Sequence, residues 1–325
     1  MTRPSEPATD RADHSPAVIW GPLLTVYVIW GTTYLAIRVV NETMPPLLSA
    51  GVRFVIAGAA LYLWAIRRGD REGDRPTAIQ WRSALIVGAL LLVGGNGGVV
   101  WAERTVPSGV VALIIALVPL WMALFDRILL RRPLGARTVI GLVLGFGGTA
   151  LLVGQGVDAG SFDLRGAMFA FGSSIAWATG SLYSRKAPLP KRPFVGNGMQ
   201  QLLGGALLLL VGMLIGELGA IHPEEFSTAS LLALGYLIVF GSLIAFTSYL
   251  WLLRNARTTL VATYAYVTPV VAVFLGWLIL DEPVGMRTIL AAAVIVVAVA
   301  LIVSSGGTAR EPGSVPQGAE RDAAA

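Results

Sequence analysis

The chain has no cysteine and only two histidines. Disulfides, thiol chemistry and cysteine-based metal sites are thereby excluded. His14 and His222 lie outside every apolar run, with most of the chain between them. They read as solvated loop residues, so no metal site and no cofactor is expected. Charge is scarce too. Asp, Glu, Lys and Arg make up 13% of the 325 residues, about half of what a soluble domain carries. Catalytic signatures are also missing: there is no H-E-x-x-H, P-loop, nucleotide fingerprint or nucleophile elbow, and the acids fall at the ends of apolar runs. No enzyme is expected.

What is present is apolar sequence. The chain is 55% hydrophobic with a mean hydropathy of +0.71, and runs such as VIAGAALYLWAI and ILAAAVIVVAVALIV carry no charge at all. That composition predicts an all-α integral membrane protein crossing the bilayer many times. The net charge of +5 therefore reflects loops, not a nucleic-acid partner. Residues 1–16 are polar and of mixed charge, and the first apolar run is long enough to span, so no cleavable signal peptide is expected.

Ten segments reach the length of about 20 apolar residues that a spanning helix needs. They are 17–39, 45–67, 81–103, 107–129, 136–154, 165–185, 194–216, 230–253, 258–280 and 284–304. Residues 1–16 and 307–325 read as disordered tails. If the spans alternate, nineteen of the 24 basic residues fall on one side. Arg104, Arg165 and Arg287 fall on the other, and Arg38 and Arg53 lie within spans. The positive-inside rule then puts both termini in the cytoplasm, in the plasma membrane of a bacterium.

The spans repeat. LLRRPLGART (129–138) returns as ILDEPVGMRT (279–288), and at the same offset of 150 Trp101, Arg104, Pro119, Pro133 and Gly135 meet their own residue types. Nearer the start the offset is 147: WGTTYLAIR (30–38) faces WATGSLYSR (177–185), and Pro46, Gly51 and Gly58 face Pro193, Gly198 and Gly205. The prediction is two five-helix repeats, 17–156 and 163–306. Five is odd, so the second copy enters the membrane inverted. That accounts for the exchange of Arg131-Arg132 for Asp281-Glu282: the same turn emerges on opposite faces. Inverted repeats are the architecture of alternating-access transporters.

At these residues a family resemblance appears. IWGTTYLAIR, PPLLSAGVRF, GNGGVVWAERTVPSGVVALIIALVPL and ATYAYVTPVVAVFLG resemble EamA-type members of the drug/metabolite transporter superfamily over residues 17–304. The resemblance implies ten helices, cytoplasmic termini, and export of small metabolites, amino acids or toxic compounds through a central cavity. One position departs from it. Family members often carry Glu just after the fourth helix, where this chain has Arg132, while Glu282 keeps the acid in the second copy.

Candidate transport residues follow from depth and symmetry. Pro119 and Pro269 are repeat equivalents near mid-span, where proline kinks a helix and frees carbonyls, a gating device as well as a common membrane residue. Trp30 and Trp177 lie near span centres, unlike the tryptophans near span ends that suit an interfacial belt. Thr33, Tyr34 and Ser181 lie beside them and would line a cavity or pack. Tyr264, Tyr266 and Thr268, with Asn96 in GGNGG, would add hydrogen-bonding groups, although those glycines also suit close helix packing. Arg53 is a full charge inside a span, costing roughly 2.5–3.5 kcal/mol at mid-bilayer unless relieved. It either pairs with Glu103 at the outer mouth or snorkels; the second copy replaces the two together, with Gln200 and Leu253.

The expected function is a secondary transporter exporting small amino-acid-like, neutral or aromatic solutes, working as a uniporter or exchanger. A proton-coupled multidrug antiporter is the alternative within transport, and a non-transporting scaffold or receptor is the alternative outside it. The expected partners are a small solute and the bilayer. Glycine pairs such as Gly141/Gly145 and Gly212/Gly216 suit internal packing or a homodimer equally.

Overall fold

The computed structural model describes residues 16–68, 75–130, 135–158, 163–256, 258–281 and 284–305. The two tails (Pro16 aside), the Arg131-Arg132 turn and Glu282 lie outside them. The described residues form helices and no strands. In order these are α1 (Pro16–Asn41), α2 (Pro46–Arg67), α3 (Ala78–Ala102), α4 (Ser108–Ile115), α5 (Val118–Leu130) and α6 (Ala136–Asp158). Then follow α7 (Leu164–Lys186), α8 (Pro193–Leu214), α9 (Thr228–Asn255), α10 (Thr258–Val261), α11 (Tyr264–Leu280) and α12 (Met286–Ser305).

Helix starts follow local chemistry. Pro46 and Pro193 open α2 and α8, at the first position where a missing N–H costs nothing. Thr77 and Gln80 form a reciprocal capping box at α3. Asp163 and Ser227 cap α7 and α9 by accepting from Arg165 N and Ser230 N.

Among the described residues, six helical stretches are long and apolar enough to cross a membrane: Val18–Asn41, Pro46–Arg67, Ala78–Ala102, Ser108–Phe125, Pro193–Leu214 and Thr228–Asn255. Their outer surfaces are apolar. Val28, Leu63, Leu214 and Leu232 stay exposed, as a lipid-facing surface requires.

The tightest packing joins α2 to α8. A Cβ on Gly58 would stand 2.5 Å from Leu202 N, one on Gly205 2.7 Å from Val55 N, and one on Gly198 2.7 Å from Tyr62 N. Residue numbers descend on one helix as they rise on the other, so the two run antiparallel with backbones in contact. Only glycine permits that approach. Around this pair α1 packs on α9 and α11, while α7 packs on α3, α4 and α5.

Two features were not anticipated from sequence. Within α3, Ala89–Gly97 is wound as a π-helix, and so is Leu237–Phe246 within α9. The glycines of GGNGG bring the first of these against α7: a Cβ on Gly95 would stand 2.7 Å from the Trp177 ring, and one on Gly98 2.9 Å from Ser173 Cβ. The expected single helices 107–129 and 258–280 are also each broken, at Ala116–Leu117 and at Ala262–Thr263. Pro119 is the second residue of α5, where its absent N–H leaves no helical bond unmade. Pro269 lies inside α11, downstream of the break.

Candidate functional site

The helices leave a cavity enclosing about 610 Å³ of atom-free space, part of it open to the outside. One wall is α1, whose Trp30, Thr33, Tyr34 and Ile37 follow the three- and four-residue spacing of one helix face. Asn96 and Val99 reach in from α3, Ser173 and Trp177 from α7, and Tyr264 and Thr268 from α11.

Arg53 lies in this cavity and is 4% exposed. Its Nε donates to Ser242 Oγ at 2.7 Å, and its guanidinium carbon sits 4.6 Å from the centre of the Phe54 ring. Gly241 makes room for it: a Cβ there would stand 2.8 Å from an Arg53 terminal nitrogen. Glu103 is buried just after α3, where its carbonyl accepts from Arg38 Nη1. Asn96 Oδ1 is a buried acceptor with no hydrogen-bond partner among the described residues.

Aromatic rings close one end. Trp30 meets Trp177 edge-on at 5.4 Å, Tyr264 edge-on at 5.2 Å and Tyr249 at 4.8 Å between ring centres. Such contacts contribute beyond the area they bury. The cluster is also hydrogen-bonded, since Trp177 Nε1 donates to the Tyr249 hydroxyl at 3.1 Å and that hydroxyl lies 2.7 Å from Ser181 Oγ. Ser181 thus supports the rings from outside the cavity lining. Tyr266 falls in α11, outside the described side chains. Phe54, Gly241, Ser242, Phe246 and Tyr249 escaped the sequence reading, yet one signal was available: Phe246 and Tyr249 stand 150 residues after Asn96 and Val99.

A cation, an unpaired amide acceptor, hydroxyls and flat aromatic walls suit binding of a small solute. With apolar spanning helices around such a cavity, the architecture is that of a membrane transporter. The chain belongs to the EamA-like transporter family, whose model matches twice, over residues 16–154 and 164–304. It is 38% identical over 289 residues to the uncharacterized inner membrane transporter YedA of Escherichia coli (strain K12), covering 87% of this chain and 90% of that protein. The uncharacterized transporter YvbV of Bacillus subtilis (strain 168) is 26% identical over 281 residues, covering 86% of this chain and 90% of that protein. A solved structure titled "Crystal structure of protein" shares the fold with a TM-score of 0.63 at 23% identity, covering 88% of this chain and 96% of that one. The protein is thus a multi-pass inner membrane transporter and not an enzyme.

Proposed function

We propose that the protein exports small amino-acid-like, neutral or aromatic solutes by alternating access, as ten spans in two inverted five-helix repeats, 17–156 and 163–306, with both termini cytoplasmic. The observation that carries this reading is the antiparallel contact of α2 with α8. These two helices are repeat equivalents at an offset of 147, so their opposite directions support inversion. Packing relations agree with it. Placing α1 on α11 and α7 on α4 and α5 exchanges the same helices between copies. The cavity draws on both copies, as a site between two rocking halves does.

In this reading Arg53, Asn96 and Thr33 bind the polar end of the solute, while Trp30, Trp177 and Tyr264 hold its apolar body. The test is counterflow of radiolabelled solutes into proteoliposomes of purified protein. Saturable uptake of small zwitterionic or aromatic solutes, absent from protein-free liposomes, is expected. Absence of saturable flux for every solute class would leave the scaffold or receptor reading in its place.

A further inference from the structure

A second cavity, of about 380 Å³, opens where α7 and α9 end and α8 begins. Its polar lining includes Ser184, Asn197, Gln200, Thr247 and Arg254. It is distinct from the first. Along α7 the lining passes from Ser173 and Trp177 to Ser184, and along α9 from Phe246 to Thr247 and Leu250. Ser181 and Tyr249, which line neither cavity, lie between them with the aromatic cluster.

Two observations mark the second cavity as a built site. Gln200 is 1% exposed, and its Oε1 has no hydrogen-bond partner among the described residues. A buried acceptor left unmade is costly, so this oxygen calls for a donor. Gln200 is also the repeat equivalent of Arg53, at an offset of 147, so the same helix position is directed at a cavity in each half. The cavities are joined through buried hydrogen bonds. Arg53 Nε donates to Ser242 Oγ, and Gln201 Nε2 donates to Ser242 O at 3.3 Å and to Asn197 Oδ1 at 2.9 Å. Asn197 Nδ2 in turn donates to Thr247 Oγ1 at 2.6 Å.

We propose that this second cavity is a separate binding subsite for the transported solute on the arginine-rich face, and that its ligand is a small zwitterion with an apolar side chain. Gln200 Oε1 accepts from the ammonium group, Arg254 takes the carboxylate, and Leu250 and Leu253 cover the side chain. The assignment rests on the transporter reading above. The aromatic cluster then separates two polar stations on one path, Arg53 with Asn96 at one and Gln200 with Arg254 at the other.

The chain is naturally free of cysteine, which makes a direct test available. Leu189→Cys places one thiol in the cavity lining, and its labelling by a charged maleimide is followed in purified protein with L-phenylalanine, phenethylamine or phenylpropionate as probe. Phenylalanine at ten times its half-protecting concentration should slow labelling about tenfold, and each half-molecule should protect less. Protection should persist in Arg53→Gln and disappear in Gln200→Leu. Gln200→Glu keeps the fold testable, because it should gain protection by phenethylamine. No protection, protection equal to that by uncharged benzyl alcohol, or protection that follows Arg53 and ignores Gln200 would overturn the subsite. Phenylalanine flux into proteoliposomes separates the two readings. Flux without protection overturns the subsite and leaves transport standing; protection without flux upholds the subsite and overturns transport of this class.

Discussion

Asn96 and Val99 in the first half stand where Phe246 and Tyr249 stand in the second, and Arg53 stands where Gln200 does. The backbone does not share this divergence. Each half winds its third span through a π-helix, Ala89–Gly97 in one and Leu237–Phe246 in the other. Such widened turns concentrate at functional sites. The third span of each half therefore keeps this winding while the side chains it carries differ. The first half contributes a small polar amide and a cation. The second contributes Trp177, Tyr249 and Tyr264, which close the floor around Trp30 of the first.

What the halves share is most sharply exposed at the glycines between α2 and α8. Gly58→Leu and Gly205→Leu should each remove folded protein almost entirely, because the new side chain meets backbone, which yields less than a side chain tip. Overpacking typically costs about 1–3 kcal/mol even where neighbours are able to shift. Size-exclusion profiles after detergent extraction check this. Gly219→Ala, with nothing within 4 Å of its added carbon, should behave as the parent protein. Unequal outcomes at Gly58 and Gly205 would break the symmetry of the contact.

What the halves do not share is tested next. Arg53→Gln gives the first half the residue of the second. Hydrogen bonds to a charged group are worth about 1.5–3 kcal/mol, so the apparent affinity for carboxylate-bearing solutes should fall by about 10- to 150-fold. Flux of uncharged aromatic solutes should change far less. Folding should survive, because the exchange removes a buried charge. Tyr249→Phe has a smaller effect: it deletes the hydroxyl that Trp177 and Ser181 share, about 1 kcal/mol per bond. A single thiol at Ser173 should then label severalfold faster from the arginine-rich side.

Much of this was legible in the sequence because hydropathy and repeat spacing are local, countable properties. Spans expected at 45–67 and 194–216 appear as Pro46–Arg67 and Pro193–Leu214, with prolines marking both starts. The Trp30/Trp177 pair was recognisable from depth and symmetry together. The π-helices were not, since a change from one backbone hydrogen-bond pattern to another leaves no periodic trace in an all-apolar segment. Tyr249 was hidden for a different reason. It sits two residues from Trp251, near a span end where aromatic residues suit the membrane interface, and only the contact with α1 and α7 shows that it turns inward. A kink within one continuous span was expected at Pro119, whereas the chain breaks at Ala116–Leu117, which places the proline in the first turn of the next helix.

The smallest expected effect concerns coupling. A proton carrier needs a carboxylate that both ends of the path reach in turn. Among the described residues Glu103 is a fully buried acid that follows α3, and it lines neither cavity. The second half replaces it with Leu253, so symmetry supplies no counterpart on the other side. Among the described residues the ring cluster offers proton coupling tyrosine hydroxyls and no carboxylate. Glu103→Gln should leave the dependence of counterflow on an imposed pH gradient at the parent's value, namely flat. If an ionophore instead abolishes uphill export by the parent protein and Glu103→Gln reproduces that loss, the proton-coupled antiporter is the correct mechanism, and the difference between the halves at 103 and 253 is its basis.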